Sequence, residues 1–428
     1  MVRFAHMSDV HLGAFREKEL RELNIHAFEK AVDVCIDRKA DFVIIAGDFF
    51  DIALPEMGVV DRAVRKMREA QARGIQFYLV YGSHDYSPTE TSIIDVLCSA
   101  GVLVKVSGEE TDSEGKRKLK VFKDEKTGVS FAGVSARARG LEEADFQKID
   151  FSALEKVPNP KVFVFHSAIT EYTREEFHGI AGGVSINSLP KGFDYYATGH
   201  VHLPQAIRDP ALGNKPLVYP GPLFASDYRD LESLAKEKHG FWFCELSGEG
   251  ASHPPMQAGD SRVERVELDI CGVEFMAFDA QGKNPAVVQQ ELLEFLNSRV
   301  LNGKVVLMRV AGVLESGSPK EIDFSSLRER ANAKGALVFY LNRNSLEAKE
   351  REELVTSQAD ASKVEEELFA KSLQGLSGVS QEFKGSAGAE KSKLLLRVLK
   401  AEQSAGETRA DFETRVLNDS KQVLDGGA

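Results

Sequence analysis

The sequence predicts an α/β protein built as a four-layer α/β/β/α sandwich, and three observations lead there. Short apolar runs rich in β-branched and aromatic residues recur, as in FVIIAGDFFD (Phe42 to Asp51), KVFVFH (Lys161 to His166) and DYYATGH (Asp194 to His200). Segments with apolar residues at helical spacing lie between such runs, which is the mark of βαβ units with right-handed crossovers. The alternation occurs twice, so two sheets face each other with helices outside.

Val2 to Asp9 is the first strand, and Glu17 to Arg38 follows as a helix through Leu20, Leu23, Ala27, Ala31, Val34 and Cys35. Pro55 suits a first helical turn, Val59 to Arg73 carries Val60, Ala63, Val64 and Met67 at helical spacing, and Gly74 stops it. Ile75 to Tyr81 is the third strand and Ser92 to Ala100 the next helix. Val102 to Gly140 reads as short strands around an exposed DSEGKRK tip, without evident chemistry. Lys161 to His166 and Phe193 to His200 are buried strands, and Pro216 to Pro222 with Gly240 to Leu246 completes a second, more antiparallel layer.

The polar, turn-rich stretch Ser247 to Ser261 separates a first domain, residues 1–250, from a small α/β module over 261–342. The module's strands are expected at Val263 to Leu268, Lys304 to Val310 and Ala336 to Leu341, with helices at Ala286 to Arg299 and Phe324 to Lys334. It holds no cluster of ligand-type residues, so its expected role is to cap a site or grip substrate. Residues 343–428 form a tail, with helical spacing over Glu347 to Leu373 and a linker in LSGVSQEFKGSAGAE. A short basic helix follows in KSKLLLRVLK, Lys391 to Lys400, and a polar, mobile end.

Composition narrows the function classes. The 428 residues carry a formal net charge of -12, which excludes a globally basic nucleic-acid binder but leaves room for a phosphate substrate held through cations. No apolar run is long enough to span a bilayer, and MVRFAHMSD reads directly as a strand, so the expected location is intracellular. Cys35, Cys98, Cys244 and Cys271 are widely spaced, which points to reduced thiols and away from thiolate zinc sites or a disulfide framework.

Five clusters of hard or imidazole ligands close apolar runs: Asp9 and His11 in SDVH, Asp48 in GDFFD, Ser83 to Asp85 in GSHD, His166, and His200 with His202 in GHVH. Open α/β folds place sites at the C-terminal ends of strands, where these residues fall. A carboxylate can bridge two cations that neutral imidazoles only terminate, so Asp48 is the expected bridge of a dinuclear site. Mixed Asp/His ligation without cysteine suits manganese, iron or zinc, and two such ions would clamp a phosphate for in-line displacement. A lone histidine on an apolar run is more often a hydrogen-bonded core residue, the reading given to His6, His26, His178, His239 and His253.

In this order the motifs DxH, GDxxD, GSHD, a lone histidine and GHxH resemble the calcineurin-like metallophosphoesterases. MSDVHLG, the PGPL after GHVH, the extra module and the tethered tail look like the Mre-eleven/SbcD nucleases of DNA double-strand-break repair, most like archaeal members. The resemblance implies one metal on Asp9, His11, Asp48 and His202 and a second on Asp48, Ser83, His166 and His200, with manganese at both. It casts His84 as a catalytic histidine outside the ligand set and Asp85 as the group that orients it. It also implies exonuclease and endonuclease action on DNA, a coiled-coil ABC-type ATPase as partner, and a homodimer through the helices that start near Pro55 and Ser92. Two departures stand out: the family usually has Asn where this chain has Ser83, and many members carry a histidine tied to exonuclease action where this chain has Asp51. A small-molecule phosphodiesterase of the same fold and a scaffold that lost its metals are the competing readings; the extra module and the complete ligand set weigh against them.

Overall fold

The computed structural model describes the chain except residues 88–90, 112–115, 137–142, 174–182, 248–260, 349–384, 402, 404–406, 408 and 425–428. The chain opens with β1 (Val2–Met7), α1 (Lys18–Asp37), β2 (Phe42–Ala46), α2 (Met57–Gln71), β3 (Gln76–Val80) and α3 (Ile93–Ser99). Ser92 caps α3 in a capping box with Asp95, which explains why that helix starts sharply after the loop. Short strands follow: β4 (Val104–Lys105), β5 (Glu109–Thr111), β6 (Arg117–Leu119), β7 (Phe122–Lys123) and β8 (Ser130–Val134). After α4 (Glu143–Phe146), β9 (Ile149–Asp150) and α5 (Ser152–Glu155) come β10 (Lys161–Phe165), β11 (Tyr195–Ala197), β12 (Gln205–Arg208), β13 (Pro216–Tyr219), α6 (Tyr228–Leu234), β14 (Gly240–Leu246) and β15 (Ser261–Glu267). The remaining elements are β16 (Gly272–Asp279), α7 (Pro285–Asn297), β17 (Lys304–Leu314), α8 (Phe324–Ala333), β18 (Val338–Asn342), β19 (Leu346–Ala348), α9 (Gly385–Leu399) and α10 (Arg409–Leu424).

Two six-stranded sheets form the sandwich, ordered β15-β14-β1-β2-β3-β4 and β12-β13-β11-β10-β8-β7. The period-2 rule decides what each strand residue meets. On β2, Val43 and Ile45 turn to the core beneath α1 and α2, while Phe42, Ile44 and Ala46 join Phe131, Val162, Val164 and Tyr195 between the sheets. Phe42 and Phe131 pack edge-on with centroids 5.2 Å apart. The outer face of the second sheet buries Phe163, Phe165, Tyr196 and Leu217 under short elements that bring in Phe146, Leu154 and Ile186. Its covering layer is therefore made of single helical turns, where the first sheet has long helices.

Several expectations need correction. Gly240 to Leu246 belongs to the first sheet, paired antiparallel to β1 with Val2 opposite Leu246. Its Phe241 and Phe243 face the helices and its Cys244 and Leu246 face the other sheet, so it is buried on both sides and its sequence cannot say which sheet it joins. The second sheet is parallel through β8, β10, β11 and β13 and antiparallel only at its edges. The strand expected at Val263 to Leu268 forms as β15 on the edge of the first sheet. The small module uses β16, β17 and β18 as a parallel sheet, and β16 was not anticipated. Its Val305, Leu307 and Val338 share the apolar core of α1 and α2.

Two compact units divide the chain: Met1–Asp279, Ala286–Ala311 and Ile322–Ser345 form one, and Ala280–Pro285, Gly312–Glu321 and Leu346–Ala428 the other. In the second unit β19 pairs with the end of β17, and α9 packs on α10. The linker assigned to LSGVSQEFKGSAGAE ends in helix from Gly385, and the end expected to be mobile contains α10. The α10 side chains Phe412, Val416, Ser420 and Val423 form a half-buried stripe at helical spacing. Ser420 is polar and Arg415 and Asp419 are half-buried beside the stripe, so the sequence does not announce an apolar face. Glu347 and Ala348, the start of the helix expected up to Leu373, lie instead in β19, and Arg117 and Lys118 of the expected DSEGKRK tip lie in β6. The rest of that helix up to Leu373, residues 112–115 and the boundary stretch 248–260 lie outside the described residues.

Candidate dinuclear metal centre

The parallel strands β1, β2, β3, β10 and β11 all end at one rim, and the loops leaving them converge. Three overlapping groups form there, Asp9 with His11 and His202, His11 with Asp48 and His84, and Asp9 with Asp48 and His166, each with ligand atoms within 4.8 Å of one another. His166 Nε2 lies 3.2 Å from Asp48 Oδ2 and 4.0 Å from Asp9 Oδ1. His202 Nε2 is 3.7 Å from Asp9 Oδ1, and His11 Nε2 is 3.8 Å from Asp48 Oδ2. The His200 ring stands edge-on to His166 with centroids 5.3 Å apart, and its backbone N–H donates to Asp9.

The backbone is bent to achieve this. Asp9, His11, Asp48 and His200 have φ of 51°, 45°, 50° and 82°, the left-handed region that most side chains avoid. Such strain persists at sites held by their surroundings, and here the surroundings are close. A Cβ at Gly82 would meet Asp48 Oδ1 at 2.1 Å, and one at Gly47 would meet His166 Nδ1 at 2.3 Å. The glycines of GD and GSHD are thus required for the loops to touch.

The outer nitrogens of His166 and His202 are held by protein partners. His166 Nδ1 bonds Ala46 O at 2.8 Å, and His202 Nδ1 bonds Asp230 at 2.8 Å. Both arrangements turn Nε2 inward, as outer partners of metal-bound histidines do. Asp48 Oδ1 accepts from the His84 N–H at 2.8 Å, while Ser8 Oγ donates to Asp9 Oδ2 at 2.5 Å. His166 Nε2 and both ring nitrogens of His11 are buried without a hydrogen-bond partner. Buried polar atoms are rarely left so, and two of them, His166 Nε2 and His11 Nε2, face the carboxylates of Asp9 and Asp48, an arrangement that a divalent cation would satisfy.

Electrostatics agree. Burial would raise the Asp48 carboxyl, but the His166 and His11 rings hold it well below the usual range. Burial likewise opposes a proton on His166, and the charges of Asp48 and Asp9 overcome it and push that ring well upward. His202 rises to about 9, against its burial, through its bond to Asp230 and the charge of Asp9. The pocket therefore draws positive charge, and a cation bound there would displace these protons.

Each nominated residue has a definite place. Ser83 Oγ is 3.5 Å from Asp48 Oδ2, at the margin of the cluster. His84 is exposed at the rim, its Nδ1 bonded to Asp51 O at 2.7 Å and its ring 4.8 Å from that of His11. Asp85 does not orient it: its carboxylate is buried and accepts from the N–H groups of Phe49, Phe50 and Gly82, tying the GSHD loop to the GDFFD loop. Burial, and then the charge of Asp48, push Asp85 up to about 6. The resemblance implies the pair, but the His84 ring bonds Asp51 O while the Asp85 carboxylate turns to Gly82 and Phe49. Asp51 Oδ1 lies 3.4 Å from His11 Nδ1. Asp230 went unnoticed because it sits in an ordinary helix 28 residues from His202.

Of the other histidines, His6 and His239 are buried and bonded to Tyr195 Oη and Phe224 O. His26 is exposed on α1, contrary to its reading as core, and His178 and His253 lie outside the described residues. Cys35 and Cys244 are buried, and all four thiols are free.

Residues 2–204, the N-terminal part of the chain, match the family described as calcineurin-like phosphoesterase. The chain is also similar to a "DNA double-strand break repair protein Mre11" from Methanococcus maripaludis, 27% identical over 58% of this chain and 64% of that protein. The Archaeoglobus fulgidus protein of the same name is 28% identical over 55% of this chain and 53% of its own length. The one from Methanopyrus kandleri is 26% identical over 75% and 67%. The alignments with the first two span less than two thirds of those proteins. No helix among the described residues is long and apolar enough to cross a membrane.

Proposed function

We propose that this chain is a manganese-dependent DNA nuclease, acting 3′ to 5′ on double-stranded ends and endonucleolytically on single strands and hairpins, that processes DNA double-strand breaks inside the cell. The observation that carries this is the set of buried, unpartnered imidazole nitrogens around Asp9 and Asp48, in a chain similar to double-strand break repair proteins. Two Mn2+ ions per subunit are assigned. Asp9, His11, Asp48 and His202 hold one, and Asp48, Ser83, His166 and His200 hold the other. When bound, the ions supply charge neutralisation at a phosphodiester and a nucleophilic water at neutral pH.

The chain's own residues do the rest. Asp48 lies between the two groups and fixes their spacing. Exposed His84 is free at Nε2, because Nδ1 is engaged by Asp51 O, and it faces the rim from which a phosphate would enter. Its role is to hydrogen-bond the phosphoryl oxygen or protonate the leaving alkoxide. Asp85 acts on the loop and keeps Gly82 to His84 against Asp48.

Two assembly features belong to this reading. Ile52, Leu54, Met57 and Val96 are 52–70% exposed, and they lie on or beside α2 and α3, where a second copy would cover them in a homodimer. On α9 and α10, Leu394, Leu399, Leu417 and Leu424 are exposed, and we assign this helical pair to docking on the coiled coil of an ABC-type ATPase. The three-part division into residues 1–250, 261–342 and 343–428 follows the same roles, phosphoesterase, cap and docking tail.

The test is a nuclease assay on linear duplex and hairpin DNA with added Mn2+, Mg2+ or chelator. Cleavage with Mn2+ that chelator abolishes is expected. Hydrolysis of small phosphodiesters with no cutting of DNA would instead favour a small-molecule enzyme, and inactivity on both with no Mn2+ bound would favour a scaffold.

A further inference from the structure

Asp230, the hydrogen-bond partner of His202, sits on α6, and the opposite side of that helix belongs to the small module. Successive helical residues advance by about 100°, so Tyr228 and Glu232 share one face while Asp230 points the other way. The contacts divide accordingly. The Tyr228 ring packs edge-on against Tyr340 of β18 with centroids 5.9 Å apart, and Glu232 pairs with Arg309 of β17. The Arg309 guanidinium lies over the Phe275 ring of β16 at 5.5 Å. The Tyr340 hydroxyl donates to Glu17 at 2.8 Å, at the start of α1 and shortly after the turn that carries Asp9 and His11. On the other face, Asp230 accepts from His202 Nδ1 at 2.8 Å and from Ser226 N and Oγ at 2.9 and 2.8 Å.

We propose that Tyr228 and Glu232 are positioning residues through which the small module sets the orientation of His202, so that moving the module loosens one metal ligand. The proposal rests on His202 being a ligand, as assigned above. A helix of two turns has little rigidity of its own, and α6 is held on one face by the module and on the other by a directional bond to an imidazole. A tilt that breaks the Arg309 and Tyr340 contacts carries Asp230 with it, and the His202 ring then loses the partner that fixes its rotation and tautomer. The described residues of the module contribute no group to the metal cluster, yet this path lets whatever engages the module change metal affinity.

Charge reversal tests it in the full chain. Glu232→Arg and Arg309→Glu are each expected to weaken Mn2+ binding at one site by roughly twofold to thirtyfold in calorimetric titration. They should also shift the His202 Nδ1–H signal in nitrogen-15 NMR of the cation-free protein, and the double reversal should restore both readouts. Single variants that melt normally and leave the titration and the ring signal unchanged would overturn the proposal, as would a double variant no better than the sum of the singles. If a reversal fails to fold, Glu232→Gln keeps the side chain's shape and carries the same expectation. An unmodified chain that binds no Mn2+ would remove the ligand assignment itself, whereas the ring signal judges the coupling independently.

Discussion

At the scale of single residues, the site is a contest between burial and charge that Asp48 wins with help from His166 and His11. Because Asp48 draws on the His84 backbone N–H and not on its exposed ring, removing the His84 ring should spare the metals. His84→Ser is expected to cut DNA cleavage by roughly 10²- to 10⁴-fold with bound manganese unchanged, the usual range for losing a general acid or base. Metal analysis of the purified variant decides, since loss of both ions would make His84 a ligand. Ser83 gives the opposite expectation. Its hydroxyl lies near Asp48 at 3.5 Å and reaches less far than an Asn amide oxygen, so the ion beside His166 and His200 should bind more weakly than the other. Ser83→Asn should lower the manganese concentration needed for cleavage, and two equal, tight sites in the unmodified chain would refute this. Asp9, His11, Asp48, His166, His200 and His202 were legible in the sequence because each ends an apolar run with a ligand-type side chain. Asp230 was not, since a helix N-terminal turn gives no sign that one of its carboxylates faces a histidine on a distant loop. Asp230→Asn, which keeps size and loses charge, should weaken manganese binding by roughly 10- to 100-fold; an unchanged titration would leave the 2.8 Å bond without consequence for the metal.

At the scale of elements, the parallel strands were readable and their partners were not. Apolar content marks a strand buried on both faces, but β14 and β13 carry the same signal, and only long-range pairing sends one to each sheet. The same limit hid α10, whose apolar residues are sparse and acquire meaning only against α9. The two helices leave Leu394, Leu399, Leu417 and Leu424 outward, which a helical pair that had no partner would have little reason to do. Replacing Leu399 and Leu417 together with Glu should reduce binding of the ATPase coiled coil at least tenfold while cleavage of DNA by the nuclease alone continues. Co-purification at full affinity would show that α9 and α10 are not the docking element.

At the scale of the whole molecule, the proposed metal cluster would tie the two sheets together. Asp9, His11 and Asp48 leave strands of the first sheet, and His166, His200 and His202 leave strands of the second, so ions shared among them would act as a cross-link at the open rim of the sandwich. Without cations the carboxylates raise the affinity of His166 and His202 for protons. A ligand that binds the folded chain and not the unfolded one stabilises it by RT ln(1 + [L]/Kd), about 2.7 kcal/mol when manganese exceeds its Kd by a hundredfold. For a domain of this size that corresponds to a rise of roughly 5–10 °C in melting temperature. Chelator should reverse the rise, and Asp48→Asn, which removes the shared carboxylate, should abolish most of it. The comparison that matters is between variants at equal manganese. If the Asp48→Asn protein, folded and melting in a single transition, gained as much as the unmodified chain, the stabilising ions would be sitting elsewhere, and the centre at the strand ends would lose its claim to both metals.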